Sequence, residues 1–414
     1  MKHDVAVVGA GPAGAWTAYL LARSGARVLI VDPSHPREKS CGGGVTGRAL
    51  SLVAGGIGGR LPAVDIRAAR FVDSTTGASA AVRLDDTSPG KAIVVASRSA
   101  FDLLLLEAAC RAGAQLVASR ATDIRRDRGG IRLDTSDGRT RTAAFLVGAD
   151  GANSLVRRRL ARPFRRDQLS IATGFFAHGE TSDEIVVELT GNPPGYLWSF
   201  PRPDHLAIGI CAQADAGMPA SALRARVAAW IRSTGIARGA SLEPYSWPIP
   251  SLSARDFETL EPAGAGWLLV GDAAGLVDPI TREGIFFALQ SAARAAGVLS
   301  SDSPDRARHY RDLVREDIAP ELARAARFKA TFFRPTFIQL LVEALGESDR
   351  IRSVMADLIA GRQSYRGLEW RLARTMELRL AYRLVSGSRL GRLARTAASS
   401  LLIRPRPPRT ARRD

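Results

Sequence analysis

With 414 residues, of which 46% are hydrophobic, the chain is long enough for two or three globular domains around a large core. Its three cysteines, Cys41, Cys110 and Cys211, are far apart and form no C-x-x-C pair, which argues against a disulfide framework or a zinc ribbon. No apolar run is long enough to span a bilayer, and glycines interrupt the first one before it could serve as a signal peptide. We therefore expect a cytoplasmic protein without a metal site.

The positive charge is concentrated near the C-terminus. Of the net charge of +17, residues 370–414 supply +10, from twelve arginines against two acids. Apolar residues such as Trp370, Leu372 and Leu378 are spaced among these arginines in a way that allows amphipathic helices at a membrane surface. A solvated basic tail explains the same composition, and no nucleic-acid partner is expected.

The N-terminal segment predicts a strand, a glycine turn and a helix. An apolar run over residues 4–9 is followed by Gly9, Gly11 and Gly14 in the spacing G-x-G-x-x-G. Gly9 can make the tight turn, Gly11 lets the backbone approach a pyrophosphate, and Gly14 allows close packing of the helix. Pro12 suits a first helical turn that needs no N–H.

A second apolar run, residues 27–32, closes a βαβ unit and ends in an acid. Asp32 is placed to accept hydrogen bonds from the hydroxyls of an adenosine ribose. Because strand, helix, second strand and terminal acid occur in the required order, the segment predicts a dinucleotide site with its phosphates at the helix N-terminus.

The segment Cys41-Gly-Gly-Gly44 has almost no side chains. A flexible linker would explain the glycines alone, but their place soon after the nucleotide fold favours backbone packed against a cofactor ring. Residues 60–95 alternate apolar and polar positions, with a turn signal at Thr76-Gly77, and predict strands inserted into the nucleotide-binding domain.

Two further elements return to that domain. A helix is predicted from an N-cap at Ser99 to Arg111. The apolar run over residues 143–148 predicts a strand that ends at Asp150 and Gly151, a position that faces a ligand in folds of this kind.

Residues 164–260 predict a second domain built on a sheet. Its most distinctive strand carries Tyr196, Trp198 and Phe200 on one face at a period of two. Such a stripe is equally typical of a core and of the apolar wall of a substrate pocket, and both interpretations remain open.

The chain then returns to the first domain over residues 261–301. A buried type of strand ends at Asp272, and the helix that follows offers free backbone N–H groups to an electron-rich acceptor. Residues 302–403 have helical apolar spacing, and residues 404–414 predict a disordered basic tail.

Together these segments resemble the FAD-dependent oxidoreductases of the aromatic-hydroxylase type. The resemblance rests on Gly9-Ala-Gly-Pro-Ala-Gly14, Gly148-Ala-Asp-Gly151 and Gly271-Asp-Ala-Ala-Gly275 with Glu283-Gly-Ile285. Within that group the chain resembles the geranylgeranyl reductase family, through Ser40-Cys-Gly-Gly-Gly44 and Tyr196-Leu-Trp-Ser-Phe-Pro201.

The resemblance implies an α/β fold. It consists of a discontinuous Rossmann-type FAD-binding domain (residues 1–163 and 261–301), a β-sheet substrate domain and a C-terminal helical region.

The resemblance also implies site residues. The residues that it indicates for the ADP half of FAD are Gly9, Gly11, Ala13, Gly14 and Asp32, with Arg98 and Ala121 in the same cleft. Those along the isoalloxazine are Cys41, Gly42 and Gly44, with Asp150 and Gly151 close to the cofactor. Asp272 is indicated for the ribityl or pyrophosphate portion, and Gly284 and Ile285 for the pyrimidine edge. One departure is Arg282, where many reductases have a small residue.

Several functions remain compatible with these patterns. The resemblance implies bound FAD, and the sequence has no second G-x-G-x-x-G placed directly after an apolar run, so the electron donor is expected to be external, either NAD(P)H or a redox protein. The leading hypothesis is reduction of carbon–carbon double bonds in a prenyl or polyprenyl lipid, with Cys41 as candidate catalytic residue. The alternatives are a monooxygenase or halogenase-like enzyme for an aromatic or natural-product substrate, and a non-enzymatic flavoprotein that docks through its tail.

Overall fold

A computed structural model describes residues 3–57, 61–84, 92–127 and 130–375. The strands are β1 (His3–Val8), β2 (Val28–Val31), β3 (Gly44–Thr46), β4 (Ala63–Asp65), β5 (Ala68–Asp73), β6 (Ser79–Arg83), β7 (Ile93–Ala96), β8 (Gln115–Val117), β9 (Ala121–Asp127), β10 (Gly130–Thr135), β11 (Thr140–Gly148), β12 (Leu169–His178), β13 (Glu184–Gly191), β14 (Pro194–Pro201), β15 (His205–Gln213), β16 (Ser241–Pro250), β17 (Ala263–Gly264) and β18 (Trp267–Leu269). The α-helices are α1 (Pro12–Arg23), α2 (Gly47–Val53), α3 (Arg98–Arg111), α4 (Leu155–Leu160), α5 (Ala220–Thr234), α6 (Ala254–Glu258), α7 (Gly271–Ala274), α8 (Ile285–Leu299), α9 (Arg306–Asp317), α10 (Ala319–Phe332), α11 (Pro335–Glu347), α12 (Asp349–Ile359) and α13 (Leu368–Ala373).

The first large sheet confirms the predicted Rossmann-type architecture. Its parallel part has β1 between β2 and β11, with β8 beyond β2 and β18 beyond β11. β2 is buried along its whole length, which explains its unbroken apolar run. β18 comes from the return segment, so the domain is discontinuous in sequence. The carboxyl ends of parallel strands lie at one edge, which brings Asp32, Asp150 and Asp272 to the same side of the sheet.

The second large sheet has the order β16-β12-β15-β14-β13-β5-β6. The predicted insertion over residues 60–95 contributes β5 and β6 to this sheet and not to the first one, since β5 pairs in parallel with β13. β16 was not separately predicted because it contains Pro244, Pro248 and Pro250. It is an edge strand, the position in which a sheet tolerates prolines.

The start of α3 differs from the prediction. The N-cap is Ser97, two residues before the predicted Ser99, and its side chain does not cap the helix. The carboxylate of Glu38 takes that role from a distant loop, because it accepts the amides of Arg98 at 3.0 Å and Ser99 at 3.2 Å.

The C-terminal region is helical as far as it is described. Pro320 and Pro335 lie in the first turns of α10 and α11, where a proline is well tolerated. Helices α11 and α12 pack with the β5–β6 side of the second sheet in one hydrophobic cluster. Within the described ranges no helix combines the length and hydropathy needed to cross a membrane. The predicted amphipathic positions after residue 375, and the tail 404–414, lie outside the described residues.

Candidate active site

One cavity of about 960 Å³ runs between the two large sheets, at the upper end of the range of small-molecule sites. Its wall contains nearly all of the predicted site residues: Gly9, Gly11, Ala13, Asp32, Cys41, Gly42, Gly44, Arg98, Ala121, Asp150, Gly151, Tyr196, Trp198, Phe200, Asp272, Gly284 and Ile285. Gly14 is not in the wall. A Cβ on Gly14 would lie 1.9 Å from the carbonyl oxygen of Gly9, so this glycine serves helix packing, as its place in the motif predicts.

The first end of the cavity lies at the N-terminus of α1. Gly9 has a φ of 101°, and a Cβ there would lie 2.4 Å from the carbonyl oxygen of Ala149. The first turn of α1 has Pro12 near its start, no acidic residue and no side-chain cap. Uncapped amides at a helix N-terminus beside a cavity fit a pyrophosphate.

Asp32 is buried beside this turn and is extensively hydrogen-bonded. It accepts the amides of Ala10 at 2.9 Å and of Ser34 and His35 at 2.8 Å, and the His35 ring at 2.8 Å. Burial alone would raise the pKa of Asp32, but the His35 contact and the amides outweigh burial and hold it well below its usual range. Asp32 therefore orders the surrounding loops, and a ribose hydroxyl would share an oxygen that is already occupied.

His35 is a further cavity residue that no sequence pattern indicated. Burial would lower the pKa of His35, but its hydrogen bonds to Asp102 and Asp32 outweigh burial and raise it. Its ring nitrogen Nε2 lies 3.5 Å from the position that a Cβ on Gly11 would occupy. A single histidine in a loop offers no spacing pattern from which this role could be predicted.

The middle of the cavity is bordered by the glycine segment after Cys41. A Cβ on Gly42 would lie 2.9 Å from the ring of Phe200, and one on Gly44 would lie 3.2 Å from the same ring. Gly43 has a φ of 84° and close contact with the carbonyl oxygen of Ala96. The glycines therefore let the loop approach both the cavity and the second sheet.

Two arginines contact Cys41, one at its thiol and one at its carbonyl oxygen. Arg98 Nη1 lies 3.6 Å from the Cys41 thiol, and the remaining nitrogens of Arg98 bind Asp102 at 3.0 and 2.9 Å. Arg202 donates to the Cys41 carbonyl at 2.7 Å and forms an ion pair with Glu38. No sequence pattern indicated Glu38 or Arg202, although Arg202 directly follows the aromatic strand.

Helix α8, which follows Asp272 in the chain, has free backbone N–H groups at its start, as predicted. α8 begins at Ile285 after Gly284, with neither a side-chain cap nor an acidic residue in its first turn. Asp272 lies next to this start, since a Cβ on Gly284 would be 3.2 Å from its Oδ1, and its Oδ2 accepts Lys39 Nζ at 2.8 Å. Lys39 is a further cavity residue that sequence patterns did not indicate.

Asp150 lies in the cavity wall, but its carboxylate is directed at its own chain. It accepts the Ser154 hydroxyl at 2.5 Å and the amides of Leu155 at 2.6 Å and Val156 at 3.2 Å. The side chain therefore caps α4, in contrast to the expected ligand-facing orientation. Burial raises the pKa of Asp150 above its usual value.

The second end of the cavity is apolar. Trp198 is 4% exposed and belongs to a core cluster, while Tyr196 and Phe200 are half-buried beside it. The aromatic stripe is thus partly core and partly cavity wall. Other apolar side chains of this end come from the second sheet and from α10 and α12: Phe71, Ile185, Val187, Leu189, Phe328, Phe332, Met355 and Ile359.

Known proteins are similar to this chain over most of its length. The family described as FAD binding domain matches residues 2–308. The menaquinone reductase of Mycolicibacterium smegmatis is 30% identical, over 82% of this chain and 87% of its own length. The digeranylgeranylglycerophospholipid reductase of Methanothrix thermoacetophila is also 30% identical, over 81% of this chain and 88% of its own length.

Two solved structures share the fold. A geranylgeranyl bacteriochlorophyll reductase-like protein from Thermoplasma acidophilum has a TM-score of 0.75 at 22% identity, covering 90% of this chain and 99% of that one. A flavin-dependent brominase has a TM-score of 0.64 at 19% identity, covering 87% of this chain and 94% of that one. The family match and the two uncapped helix N-termini confirm FAD as the predicted cofactor. The chain belongs to the geranylgeranyl reductase family of FAD-dependent oxidoreductases.

Proposed function

We propose that the protein reduces carbon–carbon double bonds of a prenyl or polyprenyl lipid. The observation that carries this proposal is the continuity of the cavity, which leads from the two uncapped helix N-termini into an apolar end between the second sheet and α10 and α12. An isoprenoid chain is long, flexible and apolar, and it matches such a lining. Menaquinone and digeranylgeranylglycerophospholipid, in the names of the two relatives, both contain isoprenoid chains.

Different residues of the cavity wall would bind different parts of FAD. The amides at the start of α1 would bind the pyrophosphate, and those of Gly284 and Ile285 would bind the pyrimidine part of the flavin. Lys39 and Asp272, which are hydrogen-bonded to each other at 2.8 Å, would hold the portion between these two ends. Reduced FAD, when bound, supplies the hydride to one carbon of the double bond.

Cys41 is the proposed source of the proton for the other carbon. Its thiol lies in the cavity wall beside the glycine segment, and the guanidinium of Arg98 is 3.6 Å away. A thiol that gives up its proton becomes a thiolate, which a neighbouring cation stabilises. The electron donor that reduces FAD would be external, NAD(P)H or a redox protein, since no second G-x-G-x-x-G follows a strand and opens a helix as the first one does.

The decisive experiment is an anaerobic single turnover. The FAD-loaded protein is reduced chemically, mixed with a polyprenyl substrate such as geranylgeraniol, and followed by flavin absorbance and product mass. We expect flavin reoxidation and a product heavier by one dihydrogen for each double bond reduced. Reoxidation that requires oxygen and yields an oxygenated product would instead assign the protein to the monooxygenase alternative.

A variant pair tests whether the apolar end binds the chain. Met355 of α12 is in the cavity wall, whereas Ser353 of the same helix is exposed. Met355→Trp should obstruct the apolar end and raise KM for the polyprenyl substrate at least tenfold, because the chain loses contact area. Ser353→Trp should leave KM unchanged. Equal KM values in the two variants would place the substrate elsewhere.

We further propose a peripheral membrane contact near the C-terminus. α13 has no buried residue, and Trp370 on it is 78% exposed, at the start of the arginine-rich segment. Exposed aromatic and basic side chains favour the headgroup layer of an anionic membrane. Co-sedimentation with anionic liposomes should fall sharply when the chain ends at Gly367, and should weaken with salt. No binding by the full chain at low salt would rule this contact out.

A further inference from the structure

A histidine borders the space in front of the glycine turn. His35 lies in the cavity wall, and a Cβ placed on Gly11 would lie 3.5 Å from its ring nitrogen Nε2 and 4.0 Å from its Cε1. Apart from the chain neighbours of Gly11, no other heavy atom of the described residues comes within 4 Å of that position. Gly11 is the residue whose missing side chain leaves room for a pyrophosphate. The His35 ring therefore lies beside the expected place of the FAD phosphates.

Both ring nitrogens of His35 face carboxylates. Nδ1 lies 2.8 Å from Asp32 Oδ2, and Nε2 lies 3.5 Å from Asp102 Oδ2. Asp102 is fully buried and pairs with Arg98 at 2.9 Å, and Asp32 accepts three backbone amides. Carboxyl groups in such surroundings are ionised and only accept hydrogen bonds, so both ring nitrogens carry hydrogen and His35 is an imidazolium.

The hydrogen on Nε2 is only weakly used within the protein. Its distance of 3.5 Å to Asp102 exceeds the usual range of about 2.7 to 3.2 Å for an N–H donor. Asp102 already accepts two nitrogens of Arg98, at 3.0 and 2.9 Å. The short contact of Nδ1 with Asp32 fixes the ring, so Nε2 can share its hydrogen with an acceptor oxygen in front of Gly11.

The charges around His35 balance only while the ring is protonated. Asp32 follows β2, Asp102 and Arg98 lie on α3, and the first turn of α1 contributes no acidic residue. Arg98 cancels Asp102 and the imidazolium cancels Asp32, whereas a neutral ring would leave one negative charge beside a pyrophosphate that is itself doubly negative. Burial lowers the pKa of His35, but the two carboxylates outweigh burial and raise it above its ordinary value of 6.5.

The charged residues that follow His35 on the same loop have partners in other parts of the chain: Arg37 on the Trp247 ring at 4.8 Å, Glu38 with Arg202, and Lys39 with Asp272 at 2.8 Å. We propose that His35 is a binding residue for the pyrophosphate of FAD, and that tight binding of FAD requires the proton on its ring. The imidazolium would donate from Nε2 to a phosphate oxygen and complement the uncapped N-terminus of α1. This role concerns the cofactor and is independent of the substrate that the protein reduces.

The test is the pH dependence of the FAD dissociation constant. FAD-loaded protein is equilibrated at values between about pH 6 and pH 9.5, and the free flavin that passes an ultrafiltration membrane is quantified by fluorescence. In the wild type, the dissociation constant should rise about tenfold as the pH passes the raised pKa of His35. His35→Gln keeps a donor without the charge, so FAD should bind about tenfold more weakly at pH 6, and the two curves should meet at high pH.

His178→Gln is the matched control. His178 also lies beside a carboxylate, that of Glu243 at 3.1 Å, but its side chain is 45% exposed and lies outside the cavity wall. This variant should reproduce the wild-type curve. Equal FAD affinity of wild type and His35→Gln at pH 6, or a weakening by the same factor at every pH, would overturn the assignment.

ADP-ribose separates the phosphates from the flavin ring. It carries the pyrophosphate but no isoalloxazine, so its binding to the FAD-stripped wild type should weaken with pH as FAD binding does. Binding of ADP-ribose that does not change with pH would place the titrating group at another part of FAD and contradict the role of His35.

A measurement on the FAD-binding wild type does not depend on how His35→Gln folds. The chain has five histidines, and substitution of the other four assigns the remaining ring Cε1–H NMR signal to His35. A proton that promotes FAD binding must itself be held more tightly when FAD is bound. The His35 signal should therefore titrate at a higher pH in the FAD-loaded protein than after FAD removal, and equal midpoints would refute the proposed coupling.

Discussion

Replacement of Glu38 by glutamine should destabilise the protein, because this carboxylate joins the loop before Cys41 to the start of α3 and to Arg202. It accepts the amides of Arg98 and Ser99 at the start of α3 and the Ser97 hydroxyl at 2.5 Å. It also forms an ion pair with Arg202, which is fully buried. Glutamine keeps the shape of the side chain but removes the charge that compensates Arg202.

The size of the expected stability loss follows from the pKa of Glu38. Burial alone would raise this pKa, but the charge of Arg202 and the hydrogen bonds from Ser97, Ser99 and Arg98 outweigh burial and lower it from 4.5 to about 2. Such a shift corresponds to roughly 3 kcal/mol of stability. Because 27% of the Glu38 side chain is exposed, solvent screening reduces the expected loss to about 2 kcal/mol.

The lowered pKa of Glu38 also determines how its contribution to stability changes with pH. A lowered carboxyl pKa stabilises the fold fully above pH 4.5, and this contribution is lost as the pH falls toward about 2. The free energy of unfolding from urea titrations should therefore differ by about 2 kcal/mol between wild type and Glu38→Gln at pH 7, and the difference should narrow in acid.

The control is Glu184→Gln, which breaks an ion pair at 3.0 Å with Arg70, whose side chain is 44% exposed. It should cost less than about 1 kcal/mol. If the two variants are equally stable at pH 7, or if the stability difference between wild type and Glu38→Gln is independent of pH, the charge of Glu38 does not stabilise the fold by compensating Arg202.

Three further outcomes are expected. Gly11→Val should abolish flavin occupancy, because its side chain would take the space of the pyrophosphate; normal absorbance of the purified variant would exclude the proposed binding mode. Asp272→Ala should weaken FAD binding by about 1 to 3 kcal/mol, whereas Asp150→Ala should mainly lower stability through the lost α4 cap. FAD titration and urea unfolding of both variants separate the two effects. Equal FAD affinities of the two variants would show that Asp272 contributes no more to FAD binding than Asp150. Burial and the charge of Arg282 lower the pKa of Lys329 from 10.5 to about 7, so between these values the unfolded chain binds more protons and stability should rise with pH. Urea titrations should show that Lys329→Met flattens this rise, which is at most about 1.4 kcal/mol per pH unit, and an unchanged slope would contradict it.

The parts of the site that follow local backbone rules were predictable from the sequence. The order of strand, glycine turn, helix and terminal acid placed Gly9, Gly11 and Asp32 beside the α1 N-terminus, because parallel strands end at one edge. The aromatic stripe at a period of two likewise placed Tyr196 and Phe200 on one face of β14.

The parts that depend on tertiary contacts were not predictable. Glu38 caps α3 across a long stretch of chain, and Arg202 reaches Cys41 from the second sheet. The direction of the Asp150 carboxylate is set by the amides of α4, which no pattern in the strand itself reveals. Pairing of β5 with β13 is equally a long-range contact, so the alternating pattern alone gave the strands but not their sheet.

The contact between Phe200 and the glycine segment has a consequence for how this chain can vary. Since the Phe200 ring occupies the space that a Cβ on Gly42 or Gly44 would need, the two distant motifs are sterically complementary. A substitution at Gly42 is therefore tolerated only together with a smaller residue at position 200. In a combinatorial library over Gly42, Gly44 and Phe200, active clones with a larger residue at position 42 or 44 should carry a smaller residue at position 200. The two motifs therefore vary together.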